Sequence, residues 1–107
     1  MTDWIDAARE GSLAPGEHLL IDVDGVEVAI FNIDGAYYAI QDTCTHDGAE
    51  IASGQLTDGE LRCPRHGARF CLKTGRVLSP PAYEDLPTYP VRVMDDRIQV
   101  GVASQSD

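Results

Sequence analysis

Short apolar runs separated by two-residue turn signals predict an antiparallel meander of β-strands. Runs rich in Ile and Val cover residues 18–23 and 26–33, and the Asp-Gly pair between them at 24–25 is a hairpin signal. A second Asp-Gly pair at 34–35 leads to a third run at 36–40. We therefore expect three consecutive strands in one antiparallel sheet.

The second half of the chain repeats this hairpin pattern twice. Residues 55–57 and 60–62 flank another Asp-Gly pair. Residues 88–94 and 97–102 flank an Asp-Asp pair near the end of the chain. All of these runs are short and turn-bounded, so the predicted fold class is all-β.

One segment departs from the strand pattern. Residues 4–11 favour a short helical turn, because Asp6 stands near its start and Gly11 follows its end. With 107 residues, the chain is long enough for one modest hydrophobic core and too short for two. We therefore expect a single domain over residues 1–107.

Two matched Cys/His pairs point to a metal centre. The chain has only three Cys and three His, and four of these residues fall in Cys44-Thr45-His46 and Cys63-Pro64-Arg65-His66. Thiolate and imidazole together suit zinc or an iron–sulfur centre. Zinc sites usually present one ligand type in each loop, whereas each loop here presents one Cys and one His. The pairs favour a 2Fe–2S cluster with one iron held by two Cys and the other by two His, and zinc is the alternative.

These two motifs, with Gly67 directly after the second His, resemble the ligand loops of the Rieske family. The resemblance covers nearly the whole chain and implies an antiparallel β sandwich with a small inserted cluster-binding subdomain, about residues 43–81. It implies a proline-containing loop over the cluster, where this chain has Pro80-Pro81. It also implies one 2Fe–2S cluster and no catalytic residue, with four ligands: Cys44, His46, Cys63 and His66.

The same resemblance implies a potential at the low end of the family window of about −150 to +300 mV. High-potential members carry an extra Cys in each loop, where this chain has Ala49 and Arg65. They also carry a Ser and a Tyr that donate hydrogen bonds to cluster sulfurs, where this chain has Ala68 and Phe70. Such hydrogen bonds stabilise the more negative reduced cluster, so their loss lowers the potential.

Acidic and basic residues are unevenly distributed. The formal net charge is −10 at pH 7, and residues 1–60 hold thirteen acidic residues against one basic residue, Arg9. Residues 61–83 hold five basic residues and no acidic one. Nucleic acid is an unfavourable partner, because phosphate binding needs the opposite balance. We expect instead an acidic body that approaches basic protein surfaces.

The cellular setting follows from what the sequence lacks. No apolar run approaches the roughly 20 residues of a membrane span, and the first residues carry an acid where a signal peptide carries base. If Cys44 and Cys63 bind metal, Cys71 has no disulfide partner and fits a reducing cytoplasm. We expect a cytoplasmic monomer without a membrane partner, with Cys71 a buried small hydrophobic residue and His18 at the surface.

The resemblance implies a soluble one-electron carrier that passes electrons from a reductase to a terminal oxygenase, and not an enzyme. The alternative within the family is the small subunit of an NADH-dependent nitrite reductase. A zinc-stabilised interaction module is the alternative from another class. A terminal oxygenase needs a further iron site with two His, and only His18 is left. A flavin or nicotinamide reductase is excluded because no Gly-x-Gly-x-x-Gly follows a strand.

Overall fold

The computed structural model of the protein describes residues 2–23, 25–42, 51–64, 67–79 and 85–103. These residues form strands and connecting turns, and no helix that could span a membrane occurs among them. The strands are β1 (Thr2–Arg9), β2 (His18–Val23), β3 (Val26–Ile33), β4 (Ala36–Gln41), β5 (Gln55–Thr57), β6 (Glu60–Arg62), β7 (Arg69–Cys71), β8 (Thr88–Tyr89), β9 (Val91–Met94) and β10 (Arg97–Ala103). The predicted all-β class is confirmed.

The strands pair in three antiparallel sheets. The first sheet has the order β1-β10-β9, the second β2-β3-β4-β8 and the third β5-β6-β7. The predicted three-strand meander is β2, β3 and β4, and the predicted hairpins across 58–59 and 95–96 are also present. Asp58, Asp95 and Asp96 have φ between 51° and 63°, the left-handed conformation that tight hairpin turns require.

The second sheet lies between two hydrophobic cores, and the middle of its strand β3 is buried on both faces. In β3, Val28, Ala29, Ile30 and Phe31 are buried one after another, so the strand does not alternate between core and solvent. Its Val28 and Ile30 pack with Ile98 and other residues of the first sheet in one core. Its Ala29 and Phe31 belong to the other core, which also contains residues of the third sheet. We call this other core the site-side core, with the buried members Ala29, Phe31, Ile40, Ile51, Ala52, Leu61, Cys63, Ala68, Phe70, Leu72 and Leu86.

The helical turn predicted over residues 4–11 is wrong. These residues lie mainly in β1, which pairs with β10 from Thr2 opposite Ala103 to Arg9 opposite Arg97. The register shifts between Asp6 and Ala8, where a β-bulge absorbs an extra residue. Pairing with a strand at the other end of the chain therefore overrides the weak local preference for helix.

The run predicted as one strand over residues 88–94 is divided at Pro90. Tyr89 in β8 pairs with Ala39 of the second sheet, whereas Val91 in β9 pairs with Val100 of the first. Proline has no N–H for a sheet ladder, so the chain changes sheets at this residue. The Pro90 carbonyl still accepts a 2.8 Å hydrogen bond from the Gly101 amide. The segment thus joins the two sheets.

Candidate metal centre

Of the four predicted ligands, only Cys63 is a described residue. It follows β6 directly and is 2% exposed, within the site-side core. The other three predicted ligands, Cys44, His46 and His66, lie outside the described residues. No group of three or more metal-binding side chains occurs within the described ranges. We call residues 43–50, which include Cys44 and His46, the first ligand segment, and residues 63–66, which include Cys63 and His66, the second. What the structure shows about the site comes from Cys63 and from the described residues that flank these segments.

The second ligand segment begins and ends in a closed turn. The amide of Gly67 donates a 3.0 Å hydrogen bond to the Cys63 carbonyl, and the amide of Cys63 donates a 2.7 Å bond to the Ala68 carbonyl. Gly67 has a φ of 77°, which glycine adopts without strain. A β-carbon at Gly67 would lie 3.2 Å from the Arg62 guanidinium, so that side chain packs against the turn. The turn fixes both ends of the segment that contains His66.

The first ligand segment is closed at its base by a buried carboxylate. Asp42 is 5% exposed, and its Oδ1 accepts hydrogen bonds from the amides of Ile51 at 2.9 Å and Ala52 at 2.7 Å. The Asp42 amide donates a 2.9 Å bond to the Glu27 carbonyl of β3. Residues 42 and 51, which flank the undescribed segment 43–50, are thus held together.

The flanks of the two ligand segments meet in the site-side core. Ile51 and Ala52, which follow the first segment, share this core with Cys63 of the second segment and with Ala68 near its end. Gly54 continues the contact, because a β-carbon there would collide with the backbone carbonyl of Arg62. The hairpin of β5 and β6 connects these two flanks, and their described ends pack side by side.

The predicted proline loop is flanked by residues that are tied to the same region. Pro80 and Pro81 lie outside the described residues. Before them, the Leu78 amide donates a 2.7 Å bond to the Arg69 carbonyl on β7. After them, the Asp85 Oδ1 accepts a 2.8 Å bond from the Val77 amide. A third segment therefore begins and ends beside the strand that follows the Cys63 turn.

The donor set and its surroundings fit an iron–sulfur cluster. The Cys63 thiol is a soft donor in an apolar core, and the sequence has one further Cys and two His in the adjoining segments. Ala68 and Phe70 are both 0% exposed, so neither flank of the turn offers a hydroxyl at these positions. This environment also fits the expectation of a low potential, since it lacks two donors to cluster sulfur.

Cys71 differs from the prediction of a buried hydrophobic residue. It ends β7 and is only partly buried. Hydrogen bonding from the Thr74 side chain lowers the pKa of the Cys71 thiol, and backbone hydrogen bonds and Lys73 act in the same direction. Cys71 is therefore a solvent-reachable thiol. His18, predicted at the surface, is exposed, and its ring lies 5.2 Å from that of Phe31.

Two residues of this region were missed by the sequence analysis. Asp42 appeared only as one of many acidic residues, although Asp side chains commonly accept hydrogen bonds from backbone amides in turns. Arg62 appeared only as part of a basic stretch, and its packing against Gly67 depends on the turn that forms there. Both roles arise from contacts that the linear sequence does not display.

Comparisons with known proteins agree with this geometry. Residues 3–90 match the profile of the Rieske [2Fe-2S] domain. The chain is 49% identical over 90 residues to the 3-phenylpropionate/cinnamic acid dioxygenase ferredoxin subunit of Escherichia coli strain K12, covering 83% of this chain and 84% of that protein. These likenesses extend over most of each chain.

Two solved structures are similar over nearly their full length. One belongs to a complex of reduced oxygenase and oxidised ferredoxin in carbazole 1,9a-dioxygenase, with a TM-score of 0.85, 28% identity and 91% of both chains covered. The other is a putative NADH-dependent nitrite reductase small subunit from Mycobacterium tuberculosis, with a TM-score of 0.86, 28% identity, and 97% and 98% of the two chains covered. The fold is thus shared with both kinds of protein.

Proposed function

Because the chain belongs to the Rieske [2Fe-2S] domain family, we propose that its single cluster is held by Cys44, His46, Cys63 and His66. The chain is an electron carrier of the ferredoxin type, as its named relatives are. We further propose that residues 43–81 form a cluster-binding subdomain within a single domain over 1–107. Strands β5, β6 and β7 fall within this range.

The observation that carries the ligand proposal is the meeting of the two segment flanks in one buried core. Ile51 and Ala52 follow the segment that contains Cys44 and His46, and they pack with Cys63 in the site-side core. The Gly67 turn returns the chain to this core directly after His66. Four ligands in two short segments can therefore converge on one centre.

The protein's own residues would set the charge and the access of water at this centre. Two thiolates, two sulfides and two ferric ions sum to no net charge, so imidazole ligands make the uptake of an electron easier than thiolates would. When bound, the cluster takes up and releases one electron. Ile51, Ala68 and Phe70 are fully buried and exclude water from the protein side. Electrons would therefore exchange on the side of the ligand segments.

The partner we propose is the terminal oxygenase of a ring-hydroxylating dioxygenase, with a reductase as the electron donor. One structural relative occurs in a complex with such an oxygenase, and a sequence relative is named a dioxygenase ferredoxin subunit. The chain itself has a net charge of −10, which favours approach to basic protein surfaces. We also propose that it acts as a cytoplasmic monomer.

A second candidate is the small subunit of an NADH-dependent nitrite reductase. The structural similarity to a putative subunit of this kind, with a TM-score of 0.86, is as high as that to the ferredoxin of the oxygenase complex, with a TM-score of 0.85. The two roles differ in the oxidant that accepts the electron. Reduced protein should transfer an electron to an oxygenase in the first case, and support siroheme-dependent nitrite reduction in the second.

The experiment that tests the proposed function begins with the purified protein. We expect a red-brown solution, two iron atoms and two labile sulfides per chain, and visible bands that dithionite bleaches. A colourless protein with zinc would instead support the interaction module and refute the electron carrier. Stopped-flow mixing of the reduced protein with an aromatic-ring dioxygenase or with a nitrite reductase catalytic subunit then distinguishes the two partners.

A further inference from the structure

Asp42 is a buried acid whose two carboxylate oxygens differ in their surroundings. Its side chain is almost fully buried, and Oδ1 accepts two backbone hydrogen bonds, from Ile51 and Ala52. Its Oδ2 is also buried and has no hydrogen-bond partner among the described residues. Burying a carboxylate oxygen without a partner costs free energy, so this arrangement calls for a reason other than the stability of the described fold.

The backbone around Asp42 is held firmly in place. Its amide donates to the Glu27 carbonyl, and the amide of the preceding Gln41 donates a 3.0 Å hydrogen bond to the Pro87 carbonyl. Ile51 and Ala52, whose backbone amides donate to Oδ1, are buried in the site-side core. The carboxylate therefore joins the end of β4 to the core that contains Cys63.

The sequence places this carboxylate beside the first ligand pair. Asp42 stands two residues before Cys44 and four before His46. Since consecutive α-carbons are only about 3.8 Å apart, the chain keeps Asp42 close to any metal that Cys44 holds. Asp42 directly precedes the undescribed segment 43–50, and its hydrogen-bond partner Ile51 directly follows that segment.

We propose that Asp42 is a positioning residue that closes the first ligand loop through Oδ1 and, through the charge on its carboxylate, keeps the cluster potential low. This inference rests on the proposed ligands Cys44 and His46. The oxidised cluster has no net charge and the reduced one has a charge of −1. A nearby negative charge therefore destabilises the reduced state and favours the oxidised state, with little screening inside the protein.

The loop-closing role is tested with D42A and D42S in the cluster-loaded protein. Alanine removes the acceptor for both amides, so we expect less iron and sulfide per chain and faster loss of the cluster to a chelator. Serine retains a short acceptor and should restore part of the loss. Equal cluster content and equal chelator rates in D42A and the wild type would overturn this role.

The charge role is tested with D42N, which keeps a side-chain oxygen for the two amides and removes the charge. We expect cluster content close to that of the wild type and a higher potential, by at least about tenfold in the reduction equilibrium, which is about 59 mV for one electron. A purely structural role would not raise the potential of an intact cluster. D42N that holds its cluster at an unchanged potential, or that folds but does not load it, would overturn the charge role.

Asp22 supplies the matched control. Its Oδ1 also accepts a backbone hydrogen bond, 2.7 Å from the Gly25 amide, but the residue is exposed and lies near the end of β2. D22N makes the same change in net charge, and we expect an unchanged potential. Failure of the ligand assignment itself would be seen separately, as a native cluster spectrum in C63S.

Discussion

The backbone amide of Cys63 donates a 2.7 Å hydrogen bond to the carbonyl of Ala68, so the predicted ligand and the residue five positions later are joined at the base of one turn. Both residues are buried in the site-side core. This bond holds Ala68 beside the predicted ligand Cys63. High-potential Rieske proteins have a hydroxyl donor at the position of Ala68. The turn is thus a place where single substitutions should change the potential.

Replacing Ala68 by serine should raise the reduction potential. A hydroxyl at this position can donate a hydrogen bond to cluster sulfur, which stabilises the reduced state. A gain of about 1.4 kcal/mol in the reduced state is about 59 mV for one electron. Redox titration followed by visible circular dichroism measures the shift. Ala29→Ser buries the same hydroxyl in the same core without following a ligand, and its potential should stay at the wild-type value.

Replacing Phe70 by tyrosine should act in the same direction. Phe70 is 0% exposed on β7, opposite Leu61, so an added hydroxyl cannot reach solvent without a rearrangement of the core. If the hydroxyl donates to the cluster, the potential rises and the loaded protein loses little stability. If it finds no acceptor, the buried hydroxyl costs roughly 1–3 kcal/mol and the potential is unchanged, which would contradict the prediction.

Replacing each described cysteine in turn should distinguish the role of Cys63 from that of Cys71. Cys63→Ser should lose the native visible spectrum, because serine cannot supply the thiolate that the cluster requires. Cys71→Ser should keep two iron atoms per chain, since this residue is outside the predicted ligand set. Iron and sulfide analysis with electron paramagnetic resonance of the reduced proteins decides the matter. A native spectrum in C63S would refute the ligand assignment.

Cys71 should be alkylated at a lower pH than an ordinary cysteine. Hydrogen bonding from Thr74 stabilises the thiolate and lowers the pKa of Cys71, and the thiolate is the form that reacts. The pH of half-maximal iodoacetamide labelling, measured by mass spectrometry, should therefore lie below that of free cysteine. Thr74→Ala should move it upward, and Thr74→Ser, which keeps the hydroxyl, should not. Equal profiles for all three proteins would contradict this cause.

Gly75→Ala should destabilise the fold more than Gly11→Ala does. Both glycines have positive φ, 77° and 90°, so alanine costs about 1–2 kcal/mol of backbone strain at either site. A β-carbon at Gly75 would in addition collide with the Leu86 carbonyl and lie 2.7 Å from the Thr88 methyl group, whereas Gly11 is open. Overpacking of this kind adds roughly 1–3 kcal/mol. Thermal unfolding at one scan rate should show the larger decrease in midpoint for Gly75→Ala.

The hairpins could be predicted from sequence because their signals are local. An Asp-Gly pair can adopt the backbone conformation of a tight turn whatever surrounds it. The bounds predicted for β2, β3, β5 and β6 accordingly agree with the structure. The division of the last long run at Pro90 could have been expected from the missing N–H, but the sheet that each part joins could not.

The parts that sequence did not predict depend on contacts between distant residues. In β1, Asp6 accepts a 2.6 Å hydrogen bond from Gln99, 93 positions away, and the Arg92 guanidinium lies 4.2 Å from the centre of the Trp4 ring. No local pattern in residues 2–9 announces these partners. The strand forms because β10 offers it a complete set of hydrogen bonds.

The sequence alone determined the donor set that we propose for the centre, because two Cys/His pairs at this spacing favour a 2Fe–2S cluster over zinc. It also determined the order of the hairpins, through turns that need only neighbouring residues. The tertiary structure decided which faces are buried, that residues 2–9 form a strand and that Asp42 accepts hydrogen bonds from the amides of Ile51 and Ala52. These features arise from hydrogen bonds and packing between segments far apart in the chain, whose free energy appears only once the sheets have assembled.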